Sequence, residues 1–427
     1  MKKINKKTNN VKIKKMRIVR ITIILTVLIC IIIITLNNSA IKLDKIIVGK
    51  QKQSLSLITT KDPDTSKFRY VKSKDNINVP VPYGYTASSA ENEQYVNALL
   101  DNEGNLVLDE NGFQKAGGFV IYEGDEEVPE DVDDLWEAQK TRNQYVWVPI
   151  SSEEVLNMYH QSGNKIFANY YTFTNTSYGI NTNESREPAM AGSYDNDNSN
   201  LTSYLNGITR ESFKIEMEER FKNMLESIAT YGGFYIGRYE TGDLNQNIPK
   251  VVRMNEDIGN QNWYQEYLKA KKLKGTHENI ETNMIWGIQY DKTLKWLIDT
   301  KSKKYSDMLP DTSATSCDNA GRWGNYKNVS FQYYDSNRNL NQTKPQNVSK
   351  TIPTGATDRN MGNNIYDLAG NVYDRTMEVY NSNRGARGGY CWDDCSDPNA
   401  NTPGNRGYIY PTHSIYSEGC RVVLYIR

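Results

Sequence analysis

The chain has 427 residues, enough for one large domain or two ordinary ones. Its 51 Lys and Arg balance its 51 Asp and Glu, which argues against the net basic charge that nucleic-acid partners demand. With only three His (His160, His277 and His413), a His-rich metal or catalytic centre is not expected.

The charge balance hides an asymmetry at the N-terminus. Lys2, Lys3, Lys6, Lys7, Lys12, Lys14, Lys15, Arg17 and Arg20 all precede Asp44, the first acid, and lead directly into the apolar run Ile21 to Leu36. As a helix that run is about 24 Å long against a hydrocarbon core of ~30 Å, and Ile18, Val19 and a snorkelling Arg20 extend it. A cleaved signal peptide is the alternative reading. However, Asn37-Asn38-Ser39-Ala40 lacks the small residue three positions before Ala40 that cleavage requires. The expectation is therefore a single transmembrane helix within residues 1–40 of a cell-membrane protein, N-terminus cytoplasmic and the remainder extracellular, or secreted if the segment is cleaved.

Residues 41–78 are rich in Lys, Ser, Thr and Asp and read as a stalk. A β-rich extension is expected over 79–143 and the main domain over 144–427. V-P-V-P-Y-G-Y, G-G-F-V-I-Y-E and Q-Y-V-W-V-P-I are β-branched and aromatic runs bounded by Gly and Pro, hence strands. Asn175 to Asn200 reads as a long surface loop. Phe213, Met217, Phe221, Met224, Leu225 and Ile228 fall at helical spacing, with Gly232-Gly233 as the stop. Phe234 to Tyr239 is a strand, and helices are predicted near Trp263 to Lys272 and Met284 to Thr300, with Trp286, Tyr290 and Trp296 in the core. Beyond Pro310 no long helix is expected, and G-C-R-V-V-L-Y-I closes the chain as a strand. The pattern describes an α+β protein with very long loops.

Four cysteines follow the membrane segment, Cys317, Cys391, Cys395 and Cys420, and an extracellular setting allows three disulfide connectivities. Between Cys391 and Cys395 lies W-D-D, and acidic neighbours disfavour the thiolate that cysteine chemistry needs. A second feature sits in N-I-Y-D-L-A-G-N-V-Y-D-R. Gly370-Asn371 is a tight-turn signal, and a two-residue hairpin there would set Asp367 opposite Asp374, where like charges repel.

The phrases Y-D-L-A-G-N-V-Y-D, R-G-A-R-G-G-Y and G-C-R-V-V-L, with G-G-F-Y-I-G-R-Y-E-T and M-I-W-G-I-Q-Y-D upstream, resemble the formylglycine-generating enzyme family, also called sulfatase-modifying factor domains. The resemblance runs from about Gln144 to Arg427. It implies an irregular, loop-rich C-type-lectin-like fold, and is a specific signal for architecture and a weak one for activity. In the family a cysteine pair binds copper and oxidises a substrate cysteine, which carries over to Cys391 and Cys395. Here that pair lies close to Gly389 and is set in an acidic phrase, so a divergent, non-catalytic member is implied. The family's calcium loop carries over to the Asp367 side chain, the Gly370 and Val372 carbonyls and the Asp374 side chain. Two carboxylates and two carbonyls are the hard oxygen donors Ca²⁺ takes, and a shared cation would turn the Asp–Asp repulsion into attraction. Arg387 and Arg421 are expected to pin loops through buried ion pairs.

The function expected is an extracytoplasmic binding or display module, stabilised by Ca²⁺, that takes a protein or small-molecule ligand outside the cell and no nucleic acid. Its display loop runs from Tyr390 to Ser417 and carries Tyr390, Trp392, Asp393, Asp394, Tyr408, Tyr410, His413 and Tyr416. The rivals are a copper-dependent formylglycine-generating oxidase using Cys391 and Cys395, and a cell-surface or pilus-like structural component.

Overall fold

A computed structural model describes residues 58–110, 112–115, 117–181, 188, 203–205, 207–310, 323–380, 383–394 and 402–427. The predicted membrane segment, most of the Asn175 to Asn200 loop, and Cys30, Cys317 and Cys395 lie outside these residues.

The core is a six-stranded antiparallel sheet assembled from distant parts of the chain. Its strands are β1 (Tyr85–Ala87), β2 (Val120–Glu123), β3 (Gln144–Pro149), β4 (Gly233–Gly237), β5 (Ile280–Met284) and a C-terminal strand, Val422–Ile426. The C-terminal strand is inserted between β4 and β5, with Tyr235 beside Leu424 and Leu424 beside Thr282. On the other side β4 pairs with β3, β3 with β2 and β2 with β1. β4 and the C-terminal strand are buried at every position, so these apolar runs do not alternate.

One cover is the helix α2 (Arg210–Tyr231), which follows α1 (Val132–Thr141). Its apolar stripe Phe213, Met217, Phe221, Met224, Leu225 and Ile228 is buried, and it packs on β4 and the C-terminal strand. Thr209 caps its start by accepting from the Ser212 N–H, and Gly232, at φ +81°, ends it in the left-handed conformation that favours glycine. Helices α3 (Trp263–Lys272) and α4 (Gly287–Asp299) match the predicted pair within a turn. Trp286, Tyr290 and Trp296 are buried, as their spacing implies.

A second, four-stranded sheet carries the phrases singled out in the sequence. Its strands are β6 (Tyr373–Tyr380), β7 (Asn383–Arg387), β8 (Gly407–Ile409) and β9 (Glu418–Cys420), in the order β8-β7-β6-β9. The β6–β9 pair is parallel.

Two expectations are corrected. The irregular, loop-rich C-type-lectin-like α+β fold does not describe this chain, which is sheet-rich, 28% strand against 22% helix, with curled sheets. An N-terminal transmembrane helix finds no support, because no helix among the described residues is long and apolar enough to cross a membrane. Phe68–Lys72 already pairs with Asn78–Pro82, β1 and β2 join the same sheet as β3, and Ile58–Arg427 is one unit. The physical reason for the sheet-rich fold is that strand partners are chosen by long-range pairing, which local composition does not encode.

Candidate functional site

The Gly370-Asn371 turn is not a hairpin. The hairpin lies a few residues earlier, where Asn363 and Asn364, at φ +44° and +60°, join Met361–Gly362 to Ile365–Tyr366. Gly370 and Asn371 take φ +71° and +67° in a wider bend that bridges to Asn325. Asp374 lies beside Arg387 on β7 and Gly419 on β9, so no strand register sets it against Asp367.

Each aspartate has partners within the chain. Asp367 accepts from Thr354 Oγ1 (3.1 Å), the Gly355 N–H (2.7 Å) and Asn360 Nδ2 (3.2 Å). Asp374 Oδ2 accepts from Arg421 Nε at 3.0 Å. Arg421 also donates to the carbonyls of Gly237 (3.0 Å) and Tyr366 (2.9 Å), so one buried guanidinium ties together β4, β6 and the Asn363-Asn364 hairpin. The turn itself is held by a residue the sequence reading missed. Glu240 accepts from Asn371 Nδ2 (2.6 Å) and the Val372 N–H (3.2 Å). Burial raises the pKa of Glu240, Asp367 and Asp374, and for Glu240 the two aspartates add to the rise.

This donor set does not fit Ca²⁺. A guanidinium is already seated on Asp374, Asp367 is occupied by three hydrogen-bond donors, and no cluster of three or more His, Cys, Asp or Glu suited to a metal occurs among the described residues. The positive charge the sequence asks for comes from Arg421. Arg387 plays the expected pinning role, donating to Asp291 Oδ1 and the Pro403 carbonyl, both at 2.9 Å.

The copper reading meets a buried thiol. Cys391 is buried with Sγ 3.5 Å from Thr351 Oγ1, and burial raises its pKa, which suppresses the thiolate. Cys420 is also a free, buried thiol, raised well above the ordinary range by burial and then by Glu266.

The Tyr390 to Ser417 segment divides into two parts. Tyr408 sits on β8, its hydroxyl donating to Glu378 Oε1 at 3.0 Å and its ring beside Tyr380. Of the other described residues, Trp392, Tyr410 and Thr412 to Tyr416 are exposed on a pinned backbone, whereas Cys391, Thr402 to Gly404 and Pro411 are buried. Tyr390 stacks on Tyr373 with ring centroids 4.7 Å apart, and Asp393 Oδ2 accepts from both the Tyr390 N–H and the Tyr373 hydroxyl. Asp394 Oδ1 accepts from Asn328 Nδ2 at 2.5 Å. The Asn260 N–H donates to the Ile415 carbonyl (3.0 Å), the Trp263 N–H to the Pro411 carbonyl (2.9 Å) and the Tyr373 N–H to the Ser417 carbonyl (2.8 Å). Arg375 Nη2 donates to the His413 carbonyl (2.8 Å), and the His413 and Tyr410 rings meet edge to face. From this backbone Trp392, Tyr410 and Tyr416 project 63%, 61% and 80% exposed.

Beneath the surface lies a charge relay that spacing alone does not reveal. Buried Arg375 pairs with Glu418 and stands 3.4 Å from Glu266 on α3, and Glu418 is in turn 3.7 Å from His413. Burial pushes Glu266 up to about 7.

Comparison with protein families, curated proteins and solved structures yields no match.

Proposed function

We propose that this chain is a binding module that works outside the cytoplasm and recognises a protein or small-molecule ligand through the surface carrying Trp392, Tyr410, His413 and Tyr416. The observation that carries this reading is the contrast between side chain and backbone. Large aromatic groups are exposed to water, while the backbone from Pro411 to Ser417 is hydrogen-bonded to Asn260, Trp263, Tyr373 and Arg375, and the backbone on either side of Trp392 to Asn371 and Lys327. Exposed Tyr and Trp on a fixed frame supply contact area with little ordering cost on binding. The basic and apolar N-terminal segment supports export.

A peptide-display library panned against residues 58–427 tests the reading. Recovered binders should lose at least tenfold in affinity against Trp392→Ala and Tyr416→Ala, with the urea midpoint of each variant unchanged. Binders that are indifferent to both substitutions would overturn it.

A further inference from the structure

Arg375 on β6 is the centre of a buried cluster beneath the aromatic surface. Its Nη2 pairs with Glu418 of β9 and its Nη1 stands 3.4 Å from Glu266 of α3, all three side chains being buried. The same two nitrogens hold backbone. Nη1 donates to the Gln261 carbonyl at 2.7 Å and Nη2 to the His413 carbonyl at 2.8 Å. One guanidinium therefore serves two carboxyls and two carbonyls.

The charges in this cluster do not balance. Two carboxyls share one cation, and neither oxygen of Glu266 accepts a hydrogen bond among the described residues. A buried carboxylate without hydrogen bonds is far costlier than the neutral acid, so the cluster favours one extra proton. The groups around it add little relief. Asp374 and Cys420 face Glu266, and Tyr390 faces Glu418; each of these can contribute only negative charge. His413 alone can add positive charge, from 3.7 Å beyond Glu418 on the exposed side. Burial lifts the Glu266 carboxyl to about 7 against the pull of Arg375, so this is where the extra proton resides.

That proton decides what the guanidinium is free to do. With Glu266 neutral, Arg375 is committed to Glu418 and the two carbonyls. With Glu266 ionised, a second full charge competes for the same nitrogens, and a charged acceptor outbids a carbonyl. We propose that the cluster is a proton-operated latch on residues 410–417: protonated Glu266 leaves Arg375 holding the His413 carbonyl, and ionised Glu266 draws Arg375 towards α3 and loosens the loop. The backbone bonds from Asn260, Trp263 and Tyr373 remain, so the loop opens more often without being lost from the fold. The latch concerns the order of the loop and holds whether or not the aromatic surface takes a ligand.

Hydrogen–deuterium exchange of the full chain, read by mass spectrometry at pH 6 and pH 8.5 with labelling times scaled to the intrinsic rate at each pH, tests the latch. Peptides covering 410–418 should lose at least about threefold in protection at the higher pH, while peptides over β3 stay unchanged and report that each variant is folded. Glu266→Gln carries the neutral form at every pH, so its loop should keep equal protection at both. His413→Asn removes the other titrating side chain of the cluster's exposed end, and the pH dependence should persist in it. Equal loop protection at both pH values in the wild type would overturn the proposal. So would a change of wild-type size in Glu266→Gln, or its disappearance in His413→Asn.

Discussion

Replacing Arg421 with Met tests whether a side chain, and not a metal ion, organises the Gly370 bend. The guanidinium is fully buried and has three partners: Asp374 Oδ2, the Gly237 carbonyl and the Tyr366 carbonyl. Methionine fills much of the volume, so the loss is chiefly polar. Removing one member of a buried ion pair costs about 3–5 kcal/mol, because the remaining charge stays desolvated. Glu240 feels Arg421 as well, and both it and Asp374 have pKa values already raised by burial. In the variant these carboxyls gain by protonation, so the penalty should shrink as the pH falls. Urea unfolding followed by tryptophan fluorescence should therefore show a larger deficit at pH 8 than at pH 5.5. The double variant Asp374→Asn with Arg421→Met should lose at least about 1 kcal/mol less than the sum of the singles. Ca²⁺ on the order of 10⁻³ M should leave the wild-type midpoint unmoved. A loss below about 1 kcal/mol, strict additivity, or a Ca²⁺-dependent rise in the wild type would refute the assignment.

Other consequences can be measured in the same way. Glu266 has its pKa pushed up to about 7 by burial from an ordinary 4.5, so the native state holds a proton the unfolded chain has lost. Its contribution to stability therefore falls as the pH rises from about 4.5 to 7, by about 3 kcal/mol in all, and Glu266→Gln should flatten that slope; a variant with the wild-type profile would show the slope arises elsewhere. Gly118 has φ +84°, and a Cβ there would lie 1.9 Å from the Asn363 carbonyl oxygen, so Gly118→Ala should cost on the order of 3 kcal/mol in thermal or urea unfolding. Lys344 Nζ donates to the Tyr326, Lys327 and Val329 carbonyls at 2.5, 3.0 and 2.6 Å. Lys344→Met leaves these three acceptors short of a donor and should cost about 2–3 kcal/mol by urea midpoint; an unchanged midpoint would show that water replaces the ammonium at no cost.

The elements with a local signal were legible in the sequence. The stripe from Phe213 to Ile228, its Gly232 stop, the helices near Trp263 and Gly287, and the terminal strand all follow from spacing, caps and β-branched runs. The exposed aromatic surface was also within reach, since Trp392, Tyr410 and Tyr416 stand in a stretch rich in Asn, Ser and Asp. So was the pinning role of Arg387 and Arg421, although not the identity of their partners.

What only the tertiary structure decided is which groups meet. Asn363-Asn364 took the hairpin that Gly370-Asn371 advertises, and Asp367 and Asp374 went to different partners as a result. Glu240 reached the bend from the segment just after β4, more than a hundred residues away, and Arg421 arrived from the junction between β9 and the C-terminal strand to supply the charge that a metal was expected to provide. Helix and turn preferences are set by neighbours in the chain, so sequence spacing reports them. The pairing of a buried carboxylate is set by whichever donor the packed sheets carry into its reach, and that depends on the whole fold.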